Sequence, residues 1–209
     1  MKNRLGLFAA LILSVSTFIQ ACSRPLSPQE SCNFVQNPEL QRVAWKRGLP
    51  VRLYLHRSVP AEAYAAIDRA ISEYNLRFAK DGREMFKIIA RGVSGDLAPK
   101  KDGYSMIYWF DSWDPNRKTE QARTTIYWSG NEIFEADIRI NGAGFSYYFG
   151  SEANFSGLDL DSLLVHELGH VLGLAHNGNH GSVMNTTLNN GQERRKLGTI
   201  DESSLKCEY

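Results

Sequence analysis

The chain has 209 residues, 43% of them hydrophobic, with 24 Lys and Arg against 23 Asp and Glu for a formal charge of +1. Such a length and apolar content suit one domain with a sizeable core. The near balance of charge excludes the basic footprint of a nucleic-acid binder and a patch for anionic membranes. No internal repeat or low-complexity tract points to a solenoid or a disordered chain.

Residues 1–21 read as an export signal. Lys2 and Arg4 form a charged start, and Leu5 to Ile19 is an apolar run too short for a comfortable transmembrane helix. Without this segment the net charge falls to about −1. The run ends Ile19-Gln20-Ala21-Cys22, similar to a bacterial lipobox cleaved before a cysteine that then carries lipid. The alternative is an ordinary secretory signal with an incidental cysteine. On the lipobox reading the protein is held at the cell envelope by an N-terminal lipid anchor, with the outer membrane the default because Ser23 is not aspartate.

Residues 23–50 are polar and carry Pro25, Pro28 and Pro38. Residues 22–42 are expected to be a tether, with the folded domain over 43–209. The first strand is expected at Val51 to His56. Pro60 opens a helix to about Lys80, on which Tyr64, Ile67, Ile71, Tyr74 and Phe78 recur at steps of three and four. Asp81-Gly82 breaks it. Strands follow near Met85–Ala90, Tyr104–Phe110, Thr124–Trp128 and Phe134–Ile140, the last with apolar residues at 134, 136, 138 and 140 facing one side. The aromatic residues of 104–113 are assigned mostly to sheet and core. In the glycine-flanked loop 142–150, Tyr147 or Tyr148 is a candidate border of a substrate cleft.

Asp159 suits a helix N-cap and Asp161 its first turn. The helix carries His166-Glu167-Leu168-Gly169-His170-Val171-Leu172-Gly173-Leu174-Ala175-His176, which holds three of the chain's five histidines. Positions i and i+4 share a helix face, so His166 and His170 can offer nitrogens to one ion. Glu167, one residue round, is poorly placed as a ligand but well placed to reach water on that ion. Gly173 tolerates a positive φ and can end the helix. His176 then completes a three-histidine set with a fourth position open, which suits catalytic zinc and a bound water of pKa near 7. Glu193 is the alternative source of a third ligand. His180 reads as a loop residue and His56 as structural.

Of the three cysteines, lipid on Cys22 leaves Cys32 and Cys207. A bridge between them would contribute about 5 kcal/mol in the chain-entropy model. Two unpaired thiols remain the other possibility.

His166 to His176, followed by Ser182-Val183-Met184-Asn185, resembles the metzincin zinc peptidases of the matrixin-like branch. In that resemblance Met184 is the methionine of the Met-turn, and Leu197–Tyr209 the closing helix. It covers about residues 43–209, and its specific part is 166–184. It implies an α+β zincin domain: a mixed, twisted five-stranded sheet, a long helix, a catalytic helix, a Met-turn and a C-terminal helix. It also implies one catalytic Zn(2+), a peptide or protein substrate and hydrolysis by a zinc-bound water, with Glu167 as general base. By the same resemblance, substrate would pair along Arg123–Ser129, and Asn185–Asn190 with Leu163 would wall a side-chain pocket.

Departures from the pattern narrow these expectations. Asn177 stands where matrixins usually carry serine. Thr186 stands where astacin-like members carry a tyrosine ligand. Only His56 lies upstream, so a second, structural zinc is not expected, and calcium finds no support in the residues. A monomer is expected. A catalytically idle binding lipoprotein and a non-peptidase zinc hydrolase are the competing functions.

Overall fold

The structure, a computed structural model, describes residues 32–79, 82–150 and 154–209. The export signal and Cys22 lie outside the described residues. The elements in chain order are β1 (Val51–His56), α1 (Tyr64–Phe78), β2 (Phe86–Val93), β3 (Ser105–Phe110), β4 (Ala122–Ser129), β5 (Glu132–Asn141), the short β6 (Tyr147–Tyr148) and β7 (Leu158–Asp159), α2 (Leu160–Val171) and α3 (Thr199–Leu205). This is the α+β arrangement that the resemblance implies.

The large sheet has the order β2-β1-β3-β5-β4. β4 pairs antiparallel with β5, while the β1–β2, β1–β3 and β3–β5 pairs are parallel. Strand β4 is therefore an edge, with one row of backbone groups outside the ladder. α1 buries the periodic residues Ile67, Ile71, Tyr74 and Phe78, and packs against α2. The Tyr74 hydroxyl donates to the Val165 carbonyl at 2.6 Å, which settles its polar end inside the core.

The expected tether ends earlier than residue 42. Phe34, Val43 and Ala44 are buried, Val35 N donates to Gly173 O, and Val43 N donates to Val35 O. From Cys32 onward the segment belongs to the domain, because its apolar residues cover the C-terminal end of α2. Trp45 Nε1 donates to Val171 O at 2.8 Å and the Tyr209 hydroxyl to Leu172 O at 2.6 Å. These are carbonyls that a helix end leaves without intrahelical partners. The Cys32–Cys207 bridge is made, joining this segment to the end of α3 across 175 residues.

The face assigned to β5 needs one correction. The register runs Tyr127↔Glu135 and then Trp128↔Ile133, a bulge that leaves Phe134 without a partner. Ile133 therefore points inward at 1% exposure, while Phe134 is 39% exposed instead of joining Ala136, Ile138 and Ile140. On the opposite face, Glu135 and Asp137 accept backbone N–H groups from Asp102, Gly103, Lys100 and Met106, pinning the loop before β3. Burial pushes the Asp137 carboxyl up to about 7. Of the aromatic residues of 104–113, Tyr104 is exposed and Tyr108 is buried.

The bulge predicts an ordering of mutant stabilities. Ile133→Ala should lower the unfolding free energy by about 2–4 kcal/mol, and Phe134→Ala by about 1 kcal/mol or less. Urea melts of the two variants showing the reverse order would sink the bulge assignment.

Candidate metal centre

α2 begins at Asp159, whose carboxylate accepts from Ser162 N and is gripped on both oxygens by Arg195 at 2.8 Å. Arg69 grips Asp161 in the same two-point fashion. Acidic groups here satisfy free N–H donors and favour the positive end of the helix dipole. The helix ends at Gly173, with φ +95°. A Cβ there would lie 2.2 Å from the Val43 carbonyl, so only glycine allows both the turn and the close approach of the N-terminal segment. Gly169, in mid-helix, is a flat spot of another kind: a Cβ would stand 2.4 Å from Met184 Sδ and 3.0 Å from the Tyr74 hydroxyl. Met184 is fully buried against it.

These constraints bring His166, His170 and His176 together. His170 Nε2 lies 3.1 Å from both His166 Nε2 and His176 Nε2. His166 Nδ1 is 2.7 Å from the Val183 carbonyl and His170 Nδ1 is 2.8 Å from the Leu174 carbonyl. A carbonyl only accepts, so both Nδ1 atoms carry the proton and both Nε2 atoms present lone pairs. Two lone pairs facing at such a distance repel unless a cation lies between them. Nitrogens about 2.0–2.1 Å from a tetrahedral zinc would stand about 3.3 Å apart, so the triad fits that ion. Among the described residues, no other group of three or more His, Cys, Asp or Glu converges in this way. Burial holds His166 and His170 down to about 4 and lowers His176 as well. The rings are thus neutral, the form that binds metal.

Glu167 projects beside them and is 4% exposed. Burial pushes its carboxyl up, against the opposing pull of His170 and of a hydrogen bond from Thr124. The Thr124 hydroxyl, on β4, donates to Glu167 Oε2 at 2.6 Å. An open cleft of about 570 Å³ runs over this group. Its walls are β4 and the residues before it, with Leu163 and Asn185–Asn189 opposite. Gln121 Nε2 ties the two sides through the Leu188 carbonyl at 2.8 Å. The Arg194 guanidinium holds the carbonyls of Ser182, Asn185 and Thr187, which shapes the second wall.

The Met-turn is fastened from below. Asp201 of α3, 2% exposed, accepts from the Ser182 hydroxyl at 2.5 Å, Val183 N at 3.0 Å and Gly198 N at 2.9 Å. It therefore orients Val183, whose carbonyl orients His166.

One sequence expectation is overturned. Tyr147 and Tyr148 do not line the cleft. The Tyr147 hydroxyl reaches back to the Gln121 and Asn141 carbonyls, and its ring stacks edge-on against Trp109, so the loop braces β4 from behind. Glu193 pairs with Arg195 at 3.0 Å and stands apart from the triad, so it is not a ligand. The roles of Thr124 beside Glu167, of Asp201 beneath the Met-turn and of Asn33, bonded to Ala175, are not marked in the sequence. A short polar residue in a strand, a helix and a presumed tether carries no local mark of its long-range partner.

Residues 111–209 match the Peptidase_M10 family model, described as matrixin. No curated protein matches the chain. Over these residues the chain is similar to the matrixins, a family of zinc-dependent metallopeptidases.

The neutral, buried rings predict an acid-sensitive native state for the metal-free protein. Unfolded histidines take up protons near pH 6.5, whereas native His166 and His170 do so near 4. Stability from these rings is therefore present above about pH 6.5 and lost as pH falls towards 4. Urea titrations across that window should show a steeper loss for the parent than for His166→Gln/His170→Gln. Equal slopes would contradict buried, neutral rings.

Proposed function

We propose that the matrixin-like domain of this chain is a zinc-dependent endopeptidase that cuts extended peptide or protein segments. The observation that carries this reading is the convergence of three neutral imidazoles beside a buried carboxyl, in an open cleft flanked by a free sheet edge. His166, His170 and His176 would hold the metal. When bound, zinc supplies a Lewis acid for the scissile carbonyl and lowers the pKa of water at its open position towards about 7.

The chain's own residues do the rest. Glu167, its proton affinity raised by burial, takes a proton from the attacking water and delivers it to the leaving amine. Thr124 holds Oε2 of that carboxylate, which turns the other oxygen to the reaction. The outer edge of β4 offers backbone groups for an added strand, so substrate binds extended and its sequence is read by side-chain pockets. Leu163 with Thr186, Thr187 and Leu188 forms a pocket beside the triad, suited to a side chain of modest size.

Export and lipid attachment at Cys22 belong to the same proposal. The charged start, the apolar run and Ala21-Cys22 support it, and so does the Cys32–Cys207 bridge, which persists in an oxidising compartment. Cys22→Ser should move the protein from the membrane fraction to the soluble one; unchanged fractionation would remove the anchor.

Cleavage of denatured casein, with and without a chelator, tests the activity. Glu167→Ala should retain zinc and lose about 10²–10⁴-fold in kcat/KM, whereas His170→Ala should lose zinc as well. A Glu167→Ala protein with full activity would refute the assigned base. A zinc-loaded parent that cuts no peptide but cuts peptidoglycan fragments, or nothing at all, would replace the peptidase with one of the competing functions.

A further inference from the structure

His166 and His170 are set by one helix, but His176 lies past its end, in a segment with no helix or strand, and is exposed. What fixes it comes from two sides. Asn177 N donates to Met184 O at 2.9 Å, on the Met-turn side. On the other side, Ala175 N donates to Asn33 O at 2.8 Å and Asn33 Nδ2 donates back to Ala175 O at 2.7 Å. Val35 N adds a bond to Gly173 O at 2.8 Å, and Phe34 bridges to Leu174. The carbonyl of Leu174, the residue between these bonds, accepts from His170 Nδ1. Residues 33–35 thus border the backbone that leads to His176 and the residue whose carbonyl faces His170.

That short ladder is clamped at its start. Cys32 precedes Asn33 directly and is bonded to Cys207 at the end of α3, the helix whose Asp201 holds the Met-turn. Both brackets around His176 therefore lead to one C-terminal element. Asn33 adopts φ +45°, which asparagine tolerates better than most residues, so its side chain can close the two-bond ring with Ala175. Residues 32–35 lie outside the 111–209 span of the family match.

We propose that residues 33–35, clamped by the Cys32–Cys207 bridge, are a strap that positions His176 and His170, with Asn33 as its principal positioning residue, so that this chain's hold on its metal depends on the strap. The proposal rests on the metal site proposed above, and it concerns binding rather than turnover. Partners of this kind, behind the ligands, are worth about 10–100-fold in metal affinity when removed.

Two variants of the otherwise full chain test it. Asn33→Gly keeps the backbone conformation, since glycine accepts a positive φ, and removes only the side-chain bond. Cys32→Ser/Cys207→Ser removes the clamp. Zinc affinity is read by competition with a chromophoric chelator, and the ligand set by the visible spectrum of the cobalt-loaded protein. The double variant should bind zinc about 10–100-fold more weakly and Asn33→Gly about 3–10-fold more weakly, both with altered cobalt spectra. A purely structural role would lower the melting temperature of the metal-free protein and leave affinity and spectrum unchanged. Affinities for both variants within about twofold of the parent, with parental spectra, overturn the strap. If the double variant fails to fold, Asn33→Gly decides by the same readings. A parent that binds no zinc overturns the metal-site reading and the strap with it.

Discussion

The constraint on which this structure depends is the direction of three imidazole lone pairs. A metal-binding histidine must be neutral, and its second nitrogen must be occupied so that the ring cannot turn. Burial supplies the first condition, holding His166 and His170 near 4. Two backbone carbonyls, Val183 and Leu174, supply the second. Each carbonyl sits in a segment that has no regular structure of its own, so each must be held by something further out.

Those outer supports account for much of the fold. Asp201 carries the Met-turn and hence Val183, and the 33–35 ladder carries Leu174. Trp45 and Tyr209 close the end of α2, while Asp159 with Arg195 closes its start. The disulfide joins the two peripheral supports covalently. Two glycines let these parts approach: Gly169 admits Met184 beneath the site, and Gly173 admits the backbone of Val43. α2 is thus a short rod gripped at both ends and from below, which leaves its upper face free for the cleft.

On that upper face the sheet contributes an edge rather than a wall. β4 is held to β5 along its length and braced from behind by the Tyr147 hydroxyl, so its other edge is available to an extended chain. Thr124 links that edge to Glu167, coupling the strand that would bind substrate to the group that would move the proton. Burial of Glu167 makes this link consequential, because a hydrogen bond weighs more where water is excluded.

Much of the site was legible because its determinants are local. The spacing of His166 and His170 follows from helical geometry, Gly173 marks the stop, and Asp159 marks the start. Likewise the apolar steps of α1 and the pattern of β5 beyond residue 135 read directly as faces, since periods of 3.6 and 2 are properties of the chain itself. Only tertiary structure decided the rest. One unpartnered residue in the hairpin turned Phe134 outward, and no alternation rule announces a bulge. Asn33 meets Ala175 across 142 positions and Thr124 meets Glu167 across 43. Residues 32–42 looked like a tether because their polarity and Pro38 are visible, while the helix end that Phe34 and Val43 cover is not. By itself, the sequence determined which side chains share one helix face and the turn after it, and so which could hold a metal. Packing decided where those atoms point, because the hydrogen bonds that orient them close only when distant segments meet.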